Sequence, residues 1–220
     1  MLDLLLPQRC LVCATSGDQV CIACTSALRR LAPPWCDRCG APTAWPVRRC
    51  TECAGRRLAF AHARAAVEYD PPVRRIVAAW KERGLRRLAA WAARVVVETI
   101  EPPGTSCLAF VPSDLDRRLR RGHHPAEQLA RELGAAWGLS VEPLLIRVRG
   151  SPRQRGLTRT ERRRNVAAAF QSAGRAPASV TLVDDVYTTG ATVNAAASAL
   201  RKGGARKVEI VTFARTIRIR

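Results

Sequence analysis

The chain has 220 residues, of which 47% are hydrophobic and 25% are charged, and its formal net charge at pH 7 is +19. This composition supports a folded core and excludes a disordered chain. No apolar run reaches the roughly 18 to 20 residues of a membrane span, because Arg94 interrupts the best candidate. No secretory signal is visible either. We therefore predict a cytoplasmic protein without a membrane span, whose cysteines stay reduced.

The positive charge comes almost wholly from arginine. All but Lys81, Lys202 and Lys207 of the 37 basic residues are arginines. A GC-rich coding bias replaces lysine by arginine, but it does not create positive charge. The excess therefore favours phosphate-rich partners, either a pyrophosphate-containing ligand or nucleic acid, over the alternative of a generally basic surface.

Eight of the nine cysteines lie within residues 1–58 and form four Cys-x-x-Cys pairs. Two sulfurs at this spacing bind one ion, and two such pairs complete the tetrahedron of a structural zinc site. We predict two Zn²⁺ sites with these ligands: Cys10, Cys13, Cys21, Cys24, Cys36, Cys39, Cys50 and Cys53. The simplest grouping joins the first pair to the second and the third to the fourth, while spacing alone leaves an interleaved grouping open.

This cysteine-rich segment cannot fold on apolar burial alone. It is short and is interrupted by Pro33, Pro34, Pro42 and Pro46, so zinc would supply the missing stability, about 10 kcal/mol per site. Disulfides would need an oxidising compartment, and a thioredoxin-like redox motif would be single. Whether the module contacts nucleic acid or serves as a scaffold is left open.

Strands and helices alternate from residue 59 onwards. Apolar periodicity and turn residues predict a strand over 65–69, a helix from 70 to 81, a helix from 85 to about 99 and a strand over 107–111. Cys107, inside the second strand, is predicted to be a core residue. The arginine-rich loop that follows comes at the carboxyl end of a strand, where parallel sheets build ligand sites, and it suits a pyrophosphate. A solvated basic loop is the alternative.

The next helix is predicted from about 125 to 137. His123 and His124, which precede it, are predicted to be surface residues because no third metal ligand is near them. A strand over 144–147 leads into an arginine-rich segment, 149–164, which we expect to close over a substrate, to contact nucleic acid or to be simply a disordered loop. Strands that alternate with helices to the end of the chain predict an α/β fold, a parallel sheet flanked by helices.

The stretch Val180–Val193 carries the strongest functional signal. An apolar strand ends in Asp184 and Asp185, a Thr-Thr-Gly loop follows, and an alanine-rich helix runs from about Ala191 to Lys202. Backbone N–H groups at the start of a helix favour a phosphate, which the two carboxylates would repel. The carboxylates instead suit a ribose diol or a Mg²⁺ ion. The combination predicts a ribose 5-phosphate site; the alternative is an ordinary βα turn that happens to hold two aspartates.

This stretch resembles the phosphoribosyl pyrophosphate (PRPP) signature of the type I phosphoribosyltransferases. With the cysteine-rich module in front of it, the whole chain resembles the ComF (ComFC-like) family, which joins a double zinc ribbon to a type I phosphoribosyltransferase domain. The implied domains are a double zinc ribbon module over 1–58 and a phosphoribosyltransferase-like domain over 59–220. The motifs that carry the resemblance are Cys36-x-x-Cys39-Gly40, the helix over 69–81, Val111-Pro112, Arg121-Gly122, Gln154, Leu157, Arg163, Asn165, Ala169-Phe170 and 184–192.

The resemblance also implies roles for individual residues. Asp184 and Asp185 would hold the ribose hydroxyls of PRPP, with Mg²⁺ bound alongside, and residues 188–192 would wrap the 5′-phosphate. Arg121 and Gly122 would lie near the pyrophosphate. The complete implied PRPP-binding set is Asp184, Asp185, Val186, Tyr187, Thr188, Thr189, Gly190, Ala191 and Thr192.

Two functions of different classes fit this resemblance. The first is a PRPP-binding protein linked to DNA uptake, competence or DNA metabolism, with single-stranded DNA and a helicase-type competence protein as partners. The alternative is a catalytically active phosphoribosyltransferase, a transferase of nucleotide or nucleobase metabolism, with an unknown acceptor. By the resemblance, Thr188 stands where purine-salvage enzymes carry an aspartate, so hypoxanthine-type salvage is not expected. The sequence identifies no acceptor and no catalytic residue, and it leaves open whether the protein is an enzyme.

Overall fold

The structure, a computed structural model, describes residues 8–113, 123–148 and 169–217. Within these ranges the strands are β1 (Ala63–Glu68), β2 (Cys107–Phe110), β3 (Val141–Glu142), β4 (Leu145–Arg147), β5 (Phe170–Ser172), β6 (Ser179–Tyr187) and β7 (Lys207–Arg215). The helices are α1 (Ile22–Ser26), α2 (Pro71–Arg83), α3 (Leu88–Thr99), α4 (Pro125–Trp137) and α5 (Ala191–Lys202). Their alternation along the chain confirms the predicted α/β class.

Five of these strands form one sheet in the order β1-β7-β6-β2-β3, and each neighbouring pair in it is parallel. The long strand β6 lies at the centre, between β7 and β2. Both β6 and β7 consist largely of buried residues, as expected for parallel strands covered on both faces. Strands β4 and β5 form a separate antiparallel pair.

Side chains that alternate along the strands build a separate core on each face of the sheet. One core joins Val180 and Leu182 of β6 to the buried side of α5 and to cysteines of the second ribbon, residues 35–58. The other core joins Val183 of β6 to α2, α3 and α4 and to the first ribbon, residues 8–31. The two ribbons therefore pack into the cores of opposite faces of the sheet.

The ends of helix α2 determine where its last turn lies. Asp70 caps the start, since its side chain accepts the backbone N–H of Val73 at 3.1 Å. The helix ends at Arg83, because Gly84 takes the left-handed conformation with φ of 66°. Lys81 consequently lies in the last turn, one of the two basic residues at that end of the helix.

His123 and His124 are each only 7% exposed, so the prediction that they lie on the surface is wrong. His123 Nε2 donates a hydrogen bond to the Trp80 carbonyl at 2.8 Å, and His124 Nδ1 accepts the backbone N–H of Glu127 at 3.2 Å. His124 therefore caps α4 in the way that an Asp or Ser does. Each buried ring therefore has at least one hydrogen-bond partner in the backbone.

Three further predictions concern Cys107, the arginine-rich segments and the absence of a membrane span. Cys107 is 2% exposed, which confirms it as a core residue. Arg121, Gly122 and the whole segment 149–164 lie outside the described residues, so their roles stay predictions. In the described part of the chain no helix is long and apolar enough to cross a membrane.

Candidate functional site

The acid pair, Asp184 and Asp185, lies where the central strand outruns one of its neighbours. Strand β2 ends opposite Val183, whereas β7 continues beside β6 as far as the pair Tyr187 and Arg215. The sequence placed the acid pair just after the strand, but pairing with β7 keeps both residues within β6. The carboxyl end of β6 therefore extends past β2, at the edge of the sheet where ligand sites of parallel sheets usually lie.

Lys81 reaches this acid pair from the last turn of α2. Its ammonium group lies 2.7 Å from Asp185 Oδ1, and the two side chains are 28% and 12% exposed. The pair joins residues far apart in the chain, so sequence reasoning missed Lys81 as a site residue. Its rarity is the signal that could have found it, since only three of the 37 basic residues are lysines.

The electrostatics of the acid pair favour one bound proton. Burial, and then the negative charge of Asp185, raise the pKa of Asp184 to about 8, while the charge of Lys81 opposes the rise. Burial alone would lower the pKa of Lys81, but the attraction of Asp185 raises it above its ordinary value. Near neutral pH the site therefore holds a protonated Asp184 beside a charged Lys81–Asp185 pair. A divalent cation would fit in place of that proton, because carboxylate oxygens are the ligands that Mg²⁺ takes.

The threonine loop, residues 188–192, joins this strand end to helix α5. Thr188, Thr189, Ala191 and Thr192 are exposed, and Gly190 takes the left-handed conformation with φ of 70°. A side chain at Gly190 would overlap the hydroxyl group of Tyr187, so the loop requires glycine there.

Helix α5 presents its first turn to this loop. Gly190, the residue before the helix, has no side chain with which to cap it, and Thr189 Oγ1 accepts only the Ala191 N–H at 3.3 Å. The helix has 12 residues and two basic residues in its last turn. Its amino end therefore has the exposed N–H groups and the partial positive charge that bind a phosphate-sized anion.

The eight paired cysteines form two clusters, one in each ribbon. The sulfur atoms of Cys10, Cys13, Cys21 and Cys24 all lie within 4.8 Å of one another, and so do those of Cys36, Cys39, Cys50 and Cys53. The simpler grouping predicted from the sequence is therefore the correct one, and the interleaved grouping is wrong.

The spacing of the sulfur atoms fits zinc. In the second ribbon the Cys36–Cys53 and Cys39–Cys50 sulfur distances are 3.6 and 3.5 Å. A tetrahedral ion with zinc–sulfur bonds of about 2.3 Å holds its sulfurs roughly 3.8 Å apart. Two Cys₄ zinc-binding sites follow, as predicted.

Backbone N–H groups support the thiolate form of one ligand in each cluster. The N–H of Cys21 points to Cys10 Sγ at 3.5 Å, and the N–H of Cys50 points to Cys36 Sγ at 3.3 Å. Burial raises the pKa of Cys10 and of Cys36, but such N–H groups outweigh it and lower the values to about 6 and about 7. The third cysteine thus supports the first in both ribbons, and a thiolate is the form that binds zinc.

Comparison with known proteins finds a family match near each end of the chain. A family model for a double zinc ribbon domain matches residues 1–54, and one for a phosphoribosyl transferase domain matches residues 119–218. DNA utilization protein YhgH of Salmonella typhimurium (strain LT2) is 29% identical over 97% of this chain and 100% of its own length. Competence protein F of Haemophilus influenzae is 27% identical over 94% of this chain and 96% of its own.

Among solved structures, a similar chain is the glutamine phosphoribosylpyrophosphate (PRPP) amidotransferase from B. subtilis complexed with ADP and GMP. It is 19% identical, with a TM-score of 0.40 over 58% of this chain and 25% of that chain. A likeness at this level carries no conclusion about ligands.

Proposed function

We propose that this chain, a double zinc ribbon joined to a phosphoribosyltransferase domain as its resemblance to the ComF family predicted, binds PRPP with Mg²⁺ at the carboxyl end of β6. We further propose that it acts in DNA uptake or DNA metabolism. The observation that carries the proposal is the acid pair and the threonine loop on one strand end, directly before the exposed amino end of α5. The names of the relatives, a DNA utilization protein and a competence protein, support the link to DNA.

The parts of the site match the parts of this ligand. The threonine loop and the first turn of α5 offer N–H groups to a 5′-phosphate. Asp184 and Asp185 accept hydrogen bonds from ribose hydroxyls, and Lys81 holds Asp185 in position from 2.7 Å away. Asp184 and Asp185 would also hold Mg²⁺, which would supply positive charge to offset the phosphates of the ligand.

Calorimetry of PRPP with Mg²⁺ tests the proposal. The double variant Asp184→Asn/Asp185→Asn loses two charged hydrogen-bond partners, each contributing about 1.5 to 3 kcal/mol, so we expect affinity to fall at least about a hundredfold. The variant Glu101→Gln/Glu132→Gln replaces two exposed carboxylates by amides and serves as the control. If the wild type does not bind PRPP, or if the two double variants lose affinity equally, the ligand assignment is wrong.

Transfer of the phosphoribosyl group is the alternative form of the same proposal. It predicts that bound PRPP releases pyrophosphate when a suitable nucleophile is present. Assaying pyrophosphate release against a panel of nucleobases, amines and water separates the two forms. Binding without release for every acceptor supports a role in DNA handling rather than catalysis.

The second ribbon carries a surface that favours contact with single-stranded DNA. Trp45 is 68% exposed, and Arg48, Arg49 and Arg57 are exposed on the same ribbon. Arginines neutralise phosphates, and an exposed indole offers a face on which a base can stack. The low aromatic content of the whole chain, 5%, does not exclude a single stacking residue of this kind.

Fluorescence anisotropy with a labelled single-stranded oligonucleotide, measured over a range of salt concentrations, tests this surface. We expect Arg48→Gln/Arg49→Gln to weaken binding and to reduce the salt slope by about 0.7 for each phosphate that is no longer neutralised. Arg175→Gln/Arg206→Gln is the matched control, because both arginines are exposed and lie outside the second ribbon. They precede strands β6 and β7, at the amino edge of the sheet. Equal weakening in both variants would mean that the net charge of the chain, and not the ribbon, governs binding.

A further inference from the structure

The second ribbon contacts the strand end that leads into the threonine loop. Arg215 of β7 is 1% exposed, and its guanidinium carbon lies 4.9 Å from the centre of the Tyr187 ring. The same guanidinium donates hydrogen bonds to the carbonyl oxygen of Cys39, a ligand residue of the second cluster, and to Glu52 Oε2 at 3.0 Å. Tyr187 in turn lies directly beneath Gly190. A chain of buried contacts therefore connects the second cluster to the inner side of the loop.

The chain that leaves this ribbon also contacts the far end of the loop. Asn194, in the first turn of α5, accepts the backbone N–H of Ala59 at 2.7 Å and donates to the carbonyl of Arg57 at 3.3 Å. Its own N–H bonds to the carbonyl of Gly190 at 3.0 Å. The second ribbon and the residue after it thus hold both ends of the threonine loop.

The first ribbon contacts other elements. Trp91 of α3 donates to Thr25 Oγ1 at 3.1 Å, and Arg30 pairs with Glu98 at 2.8 Å. Its apolar residues belong to the core on the opposite face of the sheet. The two clusters therefore differ in what they support, although their ligands have the same spacing.

We infer that the second zinc cluster positions the threonine loop, so that anion binding at the loop depends on zinc at Cys36, Cys39, Cys50 and Cys53 but not on zinc in the first ribbon. Without zinc the turns that hold the Cys39 carbonyl and Glu52 lose their order, because structural zinc stabilises such ribbons directly. Arg215 would then be a buried charge without partners, which a folded strand end does not tolerate.

This coupling is reciprocal. If zinc in the second cluster strengthens ligand binding at the loop, the ligand strengthens zinc binding there by the same factor. Tyr187, Asn194 and Arg215 are positioning residues in this scheme, since they act on the loop and not on the ligand. The ligand part of the inference rests on the proposed function, whereas the effect on loop order does not.

A matched pair of ligand variants tests the inference. Cys50→Ser and Cys21→Ser each remove the third, half-buried cysteine of one cluster, and zinc analysis confirms which ion is lost. Hydrogen exchange of the amides over 188–192 and calorimetry with PRPP and Mg²⁺ are then measured for each variant. We expect Cys50→Ser to speed exchange of the loop and to weaken PRPP at least tenfold, and Cys21→Ser to change loop exchange by less than twofold.

Asn194→Ala gives a second test in a protein that keeps both zinc ions. It removes the contacts with Arg57 and Ala59, so we expect faster loop exchange and several-fold weaker PRPP binding. The absorption spectrum of a cobalt-substituted sample should stay the same in this variant. A general loss of structure would alter that spectrum.

Three outcomes decide whether the second zinc cluster orders the threonine loop and whether the loop binds PRPP. Unchanged loop exchange after loss of zinc from the second cluster overturns the inference, and so do equal effects of Cys50→Ser and Cys21→Ser on the loop. If the wild type fails to bind PRPP, the proposed function fails, and the exchange measurements still decide whether the cluster orders the loop.

Discussion

Replacing Lys81 by Met probes the charge balance of the acid pair. Loss of one partner from a buried ion pair costs roughly 3 to 5 kcal/mol, and partial exposure of Lys81 (28%) reduces this to about 1 to 3 kcal/mol. The methylene stem is largely kept by Met, so the change isolates the charge. We expect the free energy of unfolding at pH 7 to fall by that amount.

The same variant should change how stability depends on pH. The folded pKa of Asp184, about 8, lies above its unfolded value, so stability from this group is full at low pH and is lost as pH rises towards 8. The slope is at most about 1.4 kcal/mol per pH unit. Without the charge of Lys81 the pKa of Asp184 rises further, and the loss continues above pH 8. Lys81 itself adds no slope in this window, because its folded pKa is raised above an already high unfolded value.

Urea unfolding between pH 6 and pH 9, followed by circular dichroism, measures both effects. Lys202→Met is the matched control, since Lys202 is exposed in the last turn of α5. The reasoning is refuted if Lys81→Met and Lys202→Met give the same stability at pH 7 and the same pH slope, because the ion pair would then not exist in solution.

Three further variants test the elements around the acid pair. Asp184→Asn removes the carboxyl group whose pKa burial raises, so the variant should be more stable than the wild type at neutral pH. In urea unfolding, the difference in free energy of unfolding between the two should grow by up to about 1.4 kcal/mol per pH unit from pH 6 to 8. Gly190→Ala places a methyl group against Tyr187 at a φ of 70°, and should cost about 1 to 3 kcal/mol by thermal unfolding and weaken PRPP. Arg215→Met leaves Glu52 without its buried partner and should cost about 3 to 5 kcal/mol; a loss under 1 kcal/mol would contradict the buried contact.

The sequence predicts what is local along the chain. The acid pair, the threonine loop and the start of α5 are consecutive, so their order alone indicates a phosphate and diol site. The cysteine spacing identifies the zinc ligands in the same way, but it cannot choose their grouping, which depends on how the turns fold back. His124 shows the limit of local reasoning, since its ring caps α4 by a geometry that residue type does not reveal.

Contacts between distant segments are what the sequence leaves out. Lys81 meets Asp185 only because α2 ends beside the carboxyl end of β6. Arg215 and Asn194 look like ordinary strand and helix residues until the second ribbon is placed against them. Both kinds of contact depend on the parallel order of the sheet, which sets distant strand ends side by side.

The bound proton has a consequence for ligand binding itself. PRPP is strongly anionic, and a site with two bare carboxylates would repel it. In the unliganded protein the proton on Asp184 and the charge of Lys81 reduce that repulsion. If the ligand binds with Mg²⁺, as proposed, Asp184 and Asp185 would hold the ion, whose positive charge would favour the ionised form of Asp184 and so displace its proton. Binding at pH 7 should therefore release most of a proton, and binding at pH 9 should release much less, because the pKa of Asp184 is about 8.

Calorimetry in buffers of different ionisation enthalpy measures this release directly. The apparent binding enthalpy should vary linearly with the ionisation enthalpy of the buffer, and the slope should be much larger at pH 7 than at pH 9. A slope that is the same at both pH values would mean that Asp184 is not the group that releases the proton. Because the ligand's own phosphates titrate below pH 7, they add little to the difference between the two measurements.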